Sequence, residues 1–224
     1  MSVGLAWEND PHAPADASAS QWRGGVDRIA ADVQAGLLPP GAWLKQIDLE
    51  RRYNCNRGAV RRALDELVTR RLAQHLPNQG YRVFELAPGQ IADLTELRAI
   101  LEAAVADRIY DRADEAALAR LVGLASRFEA AVQNGTLLEQ HAANMEFHLA
   151  MIELCPNLEL AQALRDTRSR LPSALITQWQ TRDWIDQSVR DHAAMLQALR
   201  SRDRTVLRTV VMGHLQRSRP ISRP

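Results

Sequence analysis

Residues 57–68, Arg-Gly-Ala-Val-Arg-Arg-Ala-Leu-Asp-Glu-Leu-Val, constrain the rest of the chain most. At helical pitch, Val60, Ala63, Leu64, Leu67 and Val68 fall on one arc. Gly58, Arg61, Arg62, Asp65 and Glu66 take the opposite arc, and Arg57 sits on the first turn. One face must be held by a domain, and the other presents arginines. Such a helix fits a DNA major groove. Taken alone, it equally fits a surface helix whose arginines are simply solvated, so the flanks decide.

Upstream, Val26, Ile29, Ala30, Val33 and Leu37 recur at helical spacing, and Gly36 and Pro39-Pro40-Gly41 stop the pattern. Ala42-Trp43-Leu44 reads as a short extended piece. Residues 47–53 read as a short helix with Ile47, Leu49 and Tyr53 inward. Asn54-Cys55-Asn56 reads as a tight turn in which Asn56 caps the arginine-bearing helix. Downstream the period changes. Leu72–Leu76 and Tyr81–Phe84 flank Pro77-Asn78-Gln79-Gly80, which predicts a β-hairpin. This order of helices, turn, arginine-bearing helix and hairpin predicts a winged helix-turn-helix over residues 21–86. Charge agrees: residues 20–84 hold eleven Lys/Arg against six Asp/Glu, whereas residues 85–224 hold 17 against 18. The positive excess lies where phosphate contact needs it.

Residues 1–20 lack periodicity and are expected to form a disordered arm, and residues 219–224 a tail. Ala87-Pro88-Gly89 is the expected hinge. Beyond it, helices are expected near 90–111, 114–133, 138–154, 157–180, 183–200 and 203–217. Short loops between six helices imply an antiparallel bundle over residues 87–218. The fold class is therefore mainly α, with one small wing sheet. Cys55 and Cys155 read as free thiols, and no apolar run is long enough to span a membrane. A cytoplasmic protein is expected.

Several polar residues fall on apolar faces. On the helix at 138–154, Met145, Leu149 and Ile152 define an arc that includes His148 and His141, with Asn144 at its edge. His192 shares an arc with Ile185, Val189, Leu196 and Leu199. Val206, Leu207, Val210 and Val211 bracket His214. His192 and His214 are equidistant from position 203, in the expected turn Ser201–Asp203, so an antiparallel pair of helices sets them side by side. If His148 points at them, three imidazoles and the Asn144 amide oxygen converge, a donor set suited to Zn²⁺ or Ni²⁺. The plainer alternative is three hydrogen-bonded core histidines. Arg98 lies at the edge of the Leu94, Leu97, Leu101, Val105 arc. Its partner is either Glu102 one turn on or the carboxylate of a bound ligand.

These residues resemble the GntR family of bacterial transcription regulators, in the FadR-type subfamily with an FCD effector domain, over residues 22–218. The family's Gly-x-x-x-Pro-Gly element is matched by Gly36 through Pro40-Gly41. Its Ser-Arg-x-x-Val-Arg-Glu-Ala-Leu is matched by Asn56 to Leu64, and its Pro-Asn-x-Gly wing by Pro77 to Gly80. Glu96-Leu97-Arg98 through Glu102, Asn144 through Phe147-His148, and the later His192 and His214 match the effector domain. Three departures stand out: Asn56 replaces Ser, Arg62 replaces Glu, and Asn144 replaces Asp.

The resemblance implies a homodimeric repressor on a palindromic DNA operator. Arg57, Arg61, Arg62, Asn56, Lys45, Asn78 and Gly80 are the expected DNA-contacting residues. His148, His192, His214 and Asn144 are the expected metal ligands, and Arg98 the expected contact to a small carboxylate effector. Two rivals remain open: a bundle that only dimerises around structural histidines, and a metal-dependent hydrolase.

Overall fold

The computed structural model describes residues 15–171 and 182–217. In the first unit, α1 (Ala15–Gln34), α2 (Gln46–Tyr53) and α3 (Arg57–Thr69) precede an antiparallel hairpin of β1 (Ala73–Leu76) and β2 (Gly80–Val83). Val26, Ile29, Ala30 and Val33 of α1 are buried in the same core as Val60, Ala63, Leu64 and Leu67 of α3. Burying such aliphatic side chains contributes about 1.5–3 kcal/mol each, so the two stripes hold α3 in place. The segment before α2 joins the wing. Leu44 N–H donates to Tyr81 and Val83 N–H to Ala42, which clamps the hairpin beside the start of α2.

The second unit comprises α4 (Pro88–Ile109), α5 (Glu115–Asn134), α6 (Leu137–Glu153), α7 (Leu158–Arg170), α8 (Arg182–Arg200) and α9 (Arg204–Arg217). Neighbouring helices follow a closed order, α4, α9, α8, α5, α6, α7 and back to α4. Their starts are set by local polar groups. Asp114, Thr136, Asn157 and Asp203 each accept a hydrogen bond from the backbone N–H three residues on. Gly135 ends α5, where a Cβ would lie 2.8 Å from the Ala131 carbonyl oxygen.

Several boundaries and faces differ from expectation. α1 begins at Ala15, so residues 15–20 are helical rather than part of an arm; their alanines favour it. Residues 1–14 and 218–224 lie outside the described residues. Pro88 and Gly89 open α4 instead of forming a hinge, because proline fits the first turn, where its missing N–H is not needed. The linker is residues 84–87. α7 stops at Arg170 with Leu171 extended, as expected of a residue preceding proline, here Pro172. The rest of the helix expected to residue 180 falls outside the described residues.

Ile47, Leu97 and Val206, expected inward, are exposed. The buried face of α6 centres on Phe147 and Met151 rather than on Met145 and Leu149, which are half-buried. α6 packs against both α5 and α7, so its core face is broader than one arc.

Candidate functional site

The wing and α3 share one surface. Asn56 Oδ1 accepts from Ala59 N–H at 2.8 Å and closes the first turn of α3. This leaves Arg57, Arg61 and Arg62 on its exposed side. Asn78 and Gly80 both take positive φ, 61° and 103°, which lets the hairpin reverse in three residues. A groove of about 480 Å³ is lined by Trp43, Lys45, Gln46, Arg57, Gln79 and Gly80. It brings Lys45, the first turn of α3 and the wing tip together. Arg61 points elsewhere, towards the Tyr81 hydroxyl, which donates to Asp65 Oδ1 at 2.6 Å. Burial and the Asp65 bond push the Tyr81 hydroxyl pKa up, and Arg61 opposes that shift. Tyr81 and Asp65 were not singled out from sequence, since their pairing spans strand and helix.

Inside the helical unit, α6 contributes His148, α8 His192 and α9 His214, all buried. One ligating atom from each lies within 4.8 Å of the others. Ring centroids are 5.1 Å apart for His148–His192 and His148–His214, and 5.4 Å for His192–His214. His148 Nε2 and both nitrogens of His192 have no hydrogen-bond partner. A buried polar atom left without a partner costs about 1–3 kcal/mol, a cost that a ligand to these nitrogens would remove. Burial, with nearby positive charge, holds the pKa values of His148 and His192 well below the ordinary histidine value. Burial also lowers that of His214, against the pull of Asp191. Neutral imidazoles are the ligating form. The trio therefore fits a divalent ion of the zinc or nickel type on donor chemistry as well as spacing. Asn144 lies one turn before His148 on α6 and is half-buried.

Asp191, which sequence reasoning missed, stands behind the cluster. It is 5% exposed, and its Oδ2 lies 3.0 Å from His214 Nδ1. The signal in the sequence was its place directly before His192 on α8.

Arg98, Glu102 and Arg168 form a second buried group. Arg98 Nε donates to Glu102 Oε1 at 3.2 Å, and Arg168 Nη1 donates to the same oxygen. Burial works to raise the Glu102 carboxyl pKa, but Arg168 and Arg98 outweigh it and hold it below the usual range. Burial and Arg168 together lower the Arg98 pKa to about 10. Two cations share one anion, and Arg168 Nε has no partner. A cavity of about 10 Å³ is lined by Glu102, His148 and His214, so this group adjoins the histidines. Half-buried His141 has its pKa lowered by burial and by Arg168. Of these residues, Arg168 was not foreseen.

Two family patterns match the chain: bacterial regulatory proteins of the gntR family over residues 26–83, and the FCD domain over residues 93–217. The chain belongs to the GntR family and carries an FCD domain. The HTH-type transcriptional repressor GlaR of Escherichia coli K12 is 26% identical over 202 residues, covering 85% of this chain and 90% of that protein. The HTH-type transcriptional regulator BphR of Paraburkholderia xenovorans LB400 is 31% identical over 134 residues. That match covers 57% of this chain, which spans 55% of BphR.

Among solved structures, E. coli McbR/YncC superposes with a TM-score of 0.80 at 20% identity, over 88% of this chain and 93% of that one. A GntR regulator from Rhodococcus sp. RHA1 reaches 0.70 at 19% identity, over 88% and 94%. These structures share the fold of the GntR–FCD chain. Its family and relatives are transcriptional regulators, which removes the hydrolase reading. No described helix is long and apolar enough to cross a membrane.

Proposed function

We propose that this GntR–FCD regulator is a homodimeric repressor that releases or rearranges on its operator when a small carboxylate enters the FCD domain. The observation that carries the reading is the trio of buried imidazoles with unpartnered nitrogens beside an arginine pair with excess charge. His148, His192 and His214 would hold Zn²⁺ or Ni²⁺, with the Asn144 oxygen as fourth donor. The bound ion supplies a Lewis-acidic anchor for a carboxylate oxygen. Arg98 and Arg168 offer guanidinium groups to the same anion, in competition with Glu102.

α7 offers a route to the DNA-binding unit. Arg168 faces Glu102, while the next residue, Ser169, accepts a hydrogen bond at its carbonyl from Gln34 of α1 at 3.4 Å. An anion that draws Arg168 away from Glu102 displaces the end of α7 on which α1 rests. Regulation follows if the effector favours one placement of α1–α3 over the other. Arg57, Arg61 and Arg62 would meet the major groove, Arg–guanine pairs being the strongest base contacts available to them. Lys45, Asn56, Asn78 and Gly80 would meet backbone or the adjacent minor groove. Exposed Leu97 and Ile100 on α4 offer an apolar face to a second copy, which would set two α3 helices on a palindrome. The GlaR and RspR relatives of E. coli K12 are named as repressors, which supports that direction of control.

Metal analysis of the purified protein, followed by melting with chelator and then with candidate carboxylates, tests the reading. Ligand at a hundred times its dissociation constant stabilises by about 2.7 kcal/mol. Melting that responds to neither metal nor carboxylate would sink the effector site. One observation favours a metal-free cluster: His192 stacks on Phe147 with centroids 4.1 Å apart. The same experiment separates the two, because a purely packed cluster is indifferent to chelator.

A further inference from the structure

We propose that Asp191 is a positioning residue for the histidine centre, fixing the tautomer of His214 and supplying the negative charge that the ligands lack. The inference rests on the metal reading above. Asp191 is buried, and both its oxygens are engaged: Oδ1 accepts from Gln187 Nε2 at 2.9 Å, and Oδ2 faces His214 Nδ1 at 3.0 Å. A carboxylate only accepts, so Nδ1 carries the proton and donates. With the proton on Nδ1, Nε2 of His214 is the unprotonated nitrogen, which is the form that ligates.

Charge makes the same point independently. Three imidazoles and the Asn144 amide are all neutral donors. A divalent ion there would be buried without compensation, close to Arg98 and Arg168, whose two charges Glu102 only half offsets. Buried charge without a counter-charge is strongly disfavoured. Asp191 is a carboxylate bonded to the histidine trio among the described residues, and it would reach the ion through His214 rather than by binding it. Carboxylates behind ligating histidines raise ligand basicity and fix ring orientation.

Two measurements test this. Zinc affinity is read by competition with a chromophoric chelator for wild type, Asp191→Asn, His214→Ala and the double variant. Asp191→Asn keeps the shape and an acceptor but removes the charge, and should weaken zinc binding about 10–100-fold. In the His214→Ala background the same substitution should cost nothing further, since Asp191 acts through that ring. Equal affinity of wild type and Asp191→Asn, or an undiminished loss in the double variant, overturns the proposal. If wild type itself fails to bind zinc, the metal reading falls first. The second measurement needs no variant: ¹⁵N chemical shifts of labelled histidine in the apo protein should show His214 with its proton on Nδ1. A proton on Nε2 overturns the proposal.

Discussion

Glu102→Gln isolates the charge balance of the effector domain. The substitution keeps size and shape and removes one negative charge from a place where Arg98, Glu102 and Arg168 are all nearly inaccessible to solvent. Two guanidiniums would then face each other with no counter-ion. Removing one partner of a buried pair costs about 3–5 kcal/mol, because the remaining charge stays desolvated. For a chain of this size each kcal/mol lowers the melting temperature by about 2–4 °C, so a drop of about 6–20 °C is expected.

The control is Glu146→Gln. Glu146 pairs with Arg127 at 2.7 Å, a shorter contact than Arg98–Glu102, but both side chains are exposed. Water already solvates those charges, so its loss should cost about 0–1 kcal/mol. Denaturant unfolding followed by circular dichroism measures both. Added acetate should recover part of the loss in Glu102→Gln, since the bare guanidiniums form an anion site, and should leave Glu146→Gln unchanged. Equal small losses in both variants would refute the argument that burial, not distance, sets the strength of these pairs.

Arg61→Ala should abolish selective operator binding while circular dichroism stays unchanged; gel shifts that keep their selectivity would remove Arg61 from the reading surface. Asn144→Asp should retain metal longer on dialysis, because a carboxylate is the stronger ligand; faster loss would mean that Asn144 is not a donor. Chelated protein should lose stability on acidification. The depressed pKa values of His148 and His192 mean that below about pH 6.5 the unfolded chain binds protons that the native one does not. Stability is then full above that pH and falls below it by up to about 1.4 kcal/mol per pH unit for each histidine. Unfolding free energies that stay flat from about pH 7 to pH 5 would contradict the buried neutral imidazoles.

What sequence can and cannot reveal here follows the range of each interaction. Caps act over three residues, so Asn56, Thr136, Asn157 and Asp203 mark their helices locally. His192 and His214 are long-range partners, yet a single tight turn joins their helices, and counting from that turn aligns them. Asp191 directly precedes His192, but it is an acidic residue that no apolar arc marks. Apolar arcs misplaced Leu97 and Val206 because a single arc assumes one burying partner, whereas helices in a closed ring meet two neighbours; Ile47 lies on α2, outside that ring.

Arg168 is a different case. It reaches Glu102 across 66 positions, from a helix whose neighbours no local pattern specifies. The consequence is physical. Two of the three histidines sit on one helical hairpin, and His148 reaches them from α6. The arginine half bridges α4 and α7, and α7 also carries the contact to α1. Any anion that competes with Glu102 therefore acts on the joint between helices rather than within one, which is where a small ligand has most leverage over the placement of the DNA-binding unit.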